Sequence, residues 1–196
     1  MPVLPPAALT TVAAVLDELD LEDDGGPIRA RLERYIASAS AVAASIIGRA
    51  VHYDAAFIET VDSRGVLFLH RTPIVALATV VTQGGVGLGV AGAIIDADLG
   101  IVTRGVVGWP DGSVTATYAG GWVTPTQAAT LGLPQTLPLD VEDAVIQLVT
   151  SRYRRRGKDA GIVGESFTGS TFTYDGQAVP ASIMGILAAH QHIANA

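Results

Sequence analysis

Few residues in this chain have the type and spacing to do chemistry. His190 and His192 stand two apart, so on a helix they point to different faces and could not hold one metal together. His52 and His70 stand singly in β-prone stretches and read as surface or cross-strand polar residues. Asp96-Ala-Asp98 brings two carboxylates together but lacks the spaced oxygen ligands of a calcium loop, so it reads as a solvated turn. The acidic stretch Asp20–Asp24 reads as a helix terminus and loop. No cysteine is present, which removes disulfides, thiolate metal sites and thiol nucleophiles.

Two glycine-framed motifs have familiar spacings. Gly87-Leu-Gly89-Val-Ala-Gly92 matches G-x-G-x-x-G, in which glycines let a pyrophosphate approach the backbone and a helix N-terminus. Here the following stretch, Ala93 to Val102, is β-branched and broken by Gly100. No helix can follow, so a glycine-rich hairpin or a flexible loop is expected. Gly164-Glu-Ser-Phe-Thr-Gly169 has one residue too many for the nucleophile elbow G-x-S-x-G and lacks its strand-to-helix context. The remaining chemistry lies in five cations, Arg152, Arg154, Arg155, Arg156 and Lys158. They could meet phosphates or acidic residues on a partner. As a helix end they could equally complement the helix dipole, though five cations exceed what the dipole needs.

The elements that must position these residues follow from periodicity. A first helix is expected over 10–20, with Val12, Val15, Leu16 and Leu19 on one stripe and Asp23 to Pro27 as the stop. A second is expected over 27–48, where Ile28, Leu32, Tyr35, Ile36, Ala39, Val42, Ala43 and Ile46 recur at three and four residues. Pro27 suits its first turn and Gly48 its left-handed end. Its Ala/Ser-rich middle, Ala37 to Ser45, suits close packing against another element. Residues 50–122 then read as β-rich, with strands over Ala56–Val61, Val66–His70, Ile74–Thr82 and Val114–Trp122, and two shorter ones at Ile94-Ile95 and Ile101-Val102. Asp62-Ser-Arg-Gly65 and Pro110-Asp111-Gly112 read as turns between strands, the latter as a hairpin.

Gly121 to Pro138 reads as a proline-rich loop, and a third helix is expected over 139–156. Its acidic start (Asp140, Glu142, Asp143) and basic end suit its dipole. Val141, Ala144, Val145, Leu148 and Val149 form its buried stripe. After Lys158, Gly161 to Gly176 reads as a loop or extended arm with a short strand, carrying Phe167, Phe172 and Tyr174. A last helix, from Ala181 to about His192, is apolar on more than one face through Ile183, Met184, Ile186 and Leu187. Such a helix is expected to be buried against something, a neighbouring chain included.

The fold class is therefore α+β: a small helical bundle with a β-rich insertion and an extended C-terminal arm ending in a short helix. A core over 1–158 and an arm with helix over 159–196 divide the chain. No internal repeat is visible. The start of the chain lacks the basic leader of a secretory signal, and no apolar run reaches membrane-spanning length. Net charge is −7, which argues against a general nucleic-acid binder but suits a wall along which DNA slides. Only 16% of residues are charged, a scarcity that suits a surface covered by neighbours.

The order of these parts resembles the head–tail connector (adaptor) proteins of long-tailed phages and phage-like gene transfer particles. Ile47-Gly48-Arg49 is similar to the family's Thr-Gly-Arg helix end, and Leu67 to Ile74 to its strand–Arg–x–Pro–Val step. Gly100 to Arg104 and Val114 to Trp122 resemble its strand pair ending in Tyr-x-x-Gly-aromatic. Leu137-Pro-Leu-Asp140 resembles its entry to the long helix. Gly161 to Ser166 and Thr171 to Tyr174 resemble the tail of actinobacterial phage members. The resemblance spans roughly residues 9–190 and departs in the glycine tract 84–92 and in the more apolar last helix.

It implies a twelve-fold virion ring beneath the portal protein, extending the DNA channel and joining capsid to tail. The implied partners are further copies of the chain, the portal, and a stopper or tail-terminator protein. Packaged DNA would pass through without sequence-specific binding, and no membrane is involved. The chain would be made in the bacterial host cytoplasm. No catalytic residue, cofactor or metal is implied. Contacts to portal or neighbour are expected from Arg152, Arg154, Arg155, Arg156, Lys158, Phe167, Phe172, Tyr174, Ile183, Met184, Ile186 and Leu187. Another virion protein, such as a stopper or tail terminator, and a small connector-attached hydrolase are the alternatives.

Overall fold

The computed structural model describes residues 4–105, 107–155, 164–167, 170–173 and 179–191, and for 164–167 and 170–173 the backbone alone. Its helices begin and end on local chemistry. In α1 (Val12–Leu19) the Thr11 hydroxyl accepts the Ala14 N–H at 3.2 Å, and Asp20 closes the helix in the left-handed region. α2 (Pro27–Ile47) starts on Pro27 and ends on Gly48 at φ 81°. The Asp24 carboxylate accepts the N–H groups of Gly26, Ile28 and Arg29, which holds its pKa below the usual carboxylate range.

Two expectations change along the C-terminal half. Gly121 to Pro138, read as a loop, contains the seven-residue helix α3 (Pro125–Leu131). A capping box makes it: Thr124 accepts the Gln127 N–H while the Gln127 side chain accepts the Thr124 N–H. About two turns are too few for a hydrophobic repeat to show. α4 (Leu139–Arg154) runs as expected, acidic in its first turn and basic in its last, with Arg155 as its cap. α5 (Ala181–Ala189) stops short of the expected His192.

A six-stranded antiparallel sheet occupies the middle of the chain in the order β3-β2-β6-β1-β5-β4. Its strands are β1 (Asp54–Phe68), β2 (Ile74–Thr82), β3 (Gly87–Leu88), β4 (Ala93–Asp96), β5 (Ile101–Arg104) and β6 (Trp109–Gly120). The two turn-like sequences are not turns. They lie opposite each other on neighbouring long strands, Ser63 pairing with Gly112 and Gly65 with Trp109 across a register shift. Gly65 (φ 81°) and Gly112 (φ 110°) supply the left-handed conformations that such a bulge requires. Up to Gly65 β1 pairs β6; beyond it, Val66–Phe68 pair β5.

The bulge bends the sheet, and the sheet curls. The glycine tract forms the expected hairpin, with Val80 and Val81 opposite Leu88 and Gly87. The chain then returns along β2 until the Ile74 N–H donates to Ala97 O at 2.9 Å. In the arm, β7 (Gly164–Phe167) and β8 (Ser170–Thr173) pair antiparallel as a separate two-stranded sheet, where a single short strand was expected.

Two apolar clusters result, and the class is mixed α+β. One gathers the helices through Val15, Leu32, Ile36, Val145 and Leu148, and includes Trp122 just past β6. The other fills the curled sheet with Leu67, Leu69, Val80, Val102, Trp109 and Tyr118. α5 belongs to the first. Ile183 (2% exposed) and Leu187 (0%) are buried among the chain's own helices, and Ile186 is half-buried there. Of the four residues expected to meet a neighbour, Met184 is exposed on the chain itself. No helix among the described residues is long and apolar enough to cross a membrane.

Leu187→Ala is expected to lower unfolding stability by about 2–5 kcal/mol, the usual cost of emptying a buried leucine site. Met184→Ala should change it by less than about 0.5 kcal/mol, as at ordinary surface positions. Denaturant titration of both variants checks the seating of α5.

Candidate functional site

Among the described residues no group of three or more His, Asp or Glu could hold a metal ion. Polar side chains converge instead at the joint between the helical cluster and the sheet, around the crossing segment Leu69–Ile74. Two glycines let other backbones press on that segment, and a third does the same beside it at His52. A Cβ at Gly100 (φ 70°) would lie 2.2 Å from Leu69 O, and one at Gly120 would lie 2.3 Å from Arg71 O. At Gly121 (φ 95°) a Cβ would lie 2.4 Å from His52 O, on the adjoining chain. No side chain fits at any of these positions without a shift of backbone.

Two arginines fasten the joint. Arg49, just past the Gly48 end of α2, donates from Nη1 to Thr72 O at 2.9 Å, and its guanidinium lies 4.9 Å from the Trp122 ring centre. Burial pulls its pKa down, while Asp98 on the β4–β5 turn supports the charge. Arg71 donates from Nη1 to His52 O at 2.9 Å, stacks 4.1 Å over Phe57 and faces the Asp54 carboxylate at 3.9 Å. Arg71 is only 8% exposed, whereas the Asp54 side chain is 42% exposed, so the guanidinium is buried against Phe57 while its carboxylate partner stands at the edge in water. Burial holds the His52 imidazole below its ordinary range; Arg71 adds to that and Asp54 opposes it.

A second group, absent from the sequence reading, adjoins the first. The Tyr118 hydroxyl donates to Glu59 Oε2 at 2.6 Å and accepts the Arg71 backbone N–H at 3.0 Å. The His70 N–H donates to the same Glu59 oxygen at 3.2 Å, and the His70 ring meets Oε1. Glu, His and Tyr are types that serve acid–base chemistry. Here burial and the Glu59 acceptor push the Tyr118 hydroxyl far above its ordinary value, so it keeps its proton. The bonds from Arg71 to Tyr118 and from His70 to Glu59 tie β6 and β1 to the crossing segment, and the Tyr118–Glu59 bond ties the two strands to each other. The signal available beforehand was the alternation that places Phe57 and Glu59 on the same face of β1 as Tyr118 on β6.

On the helical side His190 closes the joint. Its Nε2 meets Asp140 Oδ2 at 2.8 Å and its ring stands edge-on to Trp122 at 5.7 Å. The hydrogen bond from His190 holds the Asp140 carboxyl below its usual range, against a smaller opposing effect of burial. Gln191 follows, donating to Ile46 O at 2.7 Å.

The residues expected to meet partners lie elsewhere. Arg152 is half-buried and donates to Ser38 Oγ at 2.7 Å; Arg154 is exposed; Arg155 is half-buried and its N–H donates to Ser151 O at 3.1 Å. Phe167 and Phe172 stand in β7 and β8, opposite Ser170 and Glu165. Arg156, Lys158 and Tyr174 lie outside the described residues. Two small apolar cavities flank the N-terminal segment. One, of about 190 Å³, is lined by Pro5, Ala8 and the alanines of α2; the other, of about 220 Å³, by Leu4, Pro6, Thr130 and Leu131. Both fall below the size of an ordinary small-molecule site. No model of a known protein family matches the chain, and no curated protein matches it.

Two measurements test this joint. Gly121→Ala and Gly132→Ala both place alanine at positive φ, but open space surrounds Gly132. Gly132→Ala should cost about 1 kcal/mol and Gly121→Ala distinctly more, the difference being the clash with His52 O. The folded His52 pKa lies below the unfolded one, so the unfolded chain binds the proton first. Stability is expected to fall as pH drops through the unfolded histidine value of about 6.5. Urea titrations between pH 8 and 5 should show that loss reduced in His52→Gln.

Proposed function

We propose that this chain is a structural head–tail connector (adaptor) subunit. In this reading copies form a ring beneath a portal, extend the channel for packaged DNA and join capsid to tail. The helices make a small bundle, the β-rich stretch 50–122 is inserted into it, and 159–196 forms a C-terminal arm ending in a short helix. The chain does no catalysis in this role.

One observation carries the reading. Four of the short pieces that resemble the connector family lie far apart in sequence, yet they meet at the same joint. Arg49 from the helix end bonds Thr72 of the Arg-x-Pro step and stacks on Trp122. Arg71 of that step bonds Tyr118, and Gly120-Gly121 of the Tyr-x-x-Gly-aromatic piece press on Arg71 and His52. Gly100, at the start of the β5 piece, presses on Leu69 and Thr72. Pieces matched by chance would have no reason to share one contact. The scarcity of charge and the exposed apolar side chains of Ile58, Val75 and Ile94 on the sheet support a chain built to be covered.

Mixing the chain with isolated portal rings is expected to give a complex whose native mass matches one copy per portal subunit. Particle imaging is expected to place the chain between portal and tail. Failure to bind portal, together with density elsewhere in the particle, would overturn the reading.

A further inference from the structure

α4 carries opposite charge at its two ends, and the structure leaves both ends facing outward. At the N-terminal end Asp140, which meets His190 on one oxygen, and Asp143 are exposed, and among the described residues Asp143 accepts a neutral amide, from Gln147 at 2.9 Å. At the C-terminal end Arg154 is exposed and Arg152 donates to the neutral Ser38 hydroxyl. Sixteen residues at 1.5 Å each put the ends about 24 Å apart, beyond mutual screening distance at ordinary salt.

The acidic end has a second property. Within nine residues of chain Leu131 (53% exposed), Leu133 (39%) and Leu139 (77%) all stand in solvent. Leucines this exposed beside a helix end are the makings of a contact core, with the carboxylates as its rim. A surface offering negative charge at one end, and at the other Arg152 and Arg154, which meet no carboxylate among the described residues, is complementary in charge to another part of itself.

We infer that the acidic, leucine-bearing end of α4 in one copy docks on the basic end of α4 in the next. The contact is heterologous, so each copy keeps one free end of each sign and the series continues until it closes. It rests on the ring reading above and names the surface that the ring would use. It also gives Arg152 and Arg154 a neighbouring copy as their partner.

The chain has no cysteine, so paired cysteines report on this contact alone. Full-length Leu139→Cys/Arg154→Cys, treated with a short bis-maleimide under assembly conditions, is expected to give a covalent ladder beyond the dimer. Neither single variant should give one. Dimers alone from the double variant would mean two α4 helices lying antiparallel across a two-fold axis, and would overturn the proposal. So would native mass spectra showing assembled chain without a ladder, an outcome that leaves the ring reading standing. A chain that neither self-associates nor binds portal would overturn both.

Exposed sites bear the remaining substitutions, so folding is not at risk. Leu139→Asp should raise the concentration for half-assembly at least about tenfold, as loss of a buried leucine contact implies. Asp143→Arg and Arg154→Glu should each weaken assembly, and the two combined should restore it. Equal assembly in all three would overturn the assigned pairing.

Discussion

The close approach of three backbones at the segment Leu69–Ile74 is the constraint on which the rest of the structure depends. Gly100, Gly120 and Gly121 let the β5 turn and the end of β6 lie against Leu69, Arg71 and His52 at distances no Cβ allows. Once they are in place, the carbonyls of Thr72 and His52 face inward, where an unmet acceptor would be costly. Arg49 and Arg71 meet them. Each guanidinium then needs a surface to lie on, and Trp122 and Phe57 provide it. The glycines set the spacing, the arginines satisfy what the spacing buries, and the aromatics hold the arginines.

This joint also couples the two apolar clusters. Trp122 lies at the end of the sheet but packs among the helices. His190, at the end of α5, touches both Trp122 and Asp140 at the start of α4. Tyr118 does the reverse, anchoring the crossing segment to the sheet through Glu59. The relation of helices to sheet thus rests on a few directed polar contacts more than on a broad apolar surface. Directed contacts fix an angle.

Legibility in the sequence followed the range of the interactions. α2 and α4 showed themselves because their stripes repeat within a few residues, and caps such as Gly48 are local. The glycine hairpin and the short strands β4 and β5 were legible for the same reason. Pro110-Asp111-Gly112 misled because turn and bulge use the same residues; only the strand opposite decides between them. α3 was missed although its Thr124-Pro125-x-Gln127 capping box is written in the chain, since seven residues show no period. The last helix was correctly read as apolar, but Ile183 and Leu187 turned inward to the chain's own helices.

The sequence by itself determined the mixed α+β class, the helix ends, the scarcity of charge and the polarity of α4, because composition and near-neighbour spacing carry them. Only the tertiary structure decided that Glu59, His70 and Tyr118 form one group, that Gly100 and Gly120 press on the crossing segment and Gly121 on His52, and that Arg49 and Arg71 bind backbone carbonyls. Those contacts join residues from about ten to seventy positions apart. No local spacing encodes such a meeting; it exists only after the bulge at Gly65 and Gly112 has bent the sheet back toward the helices.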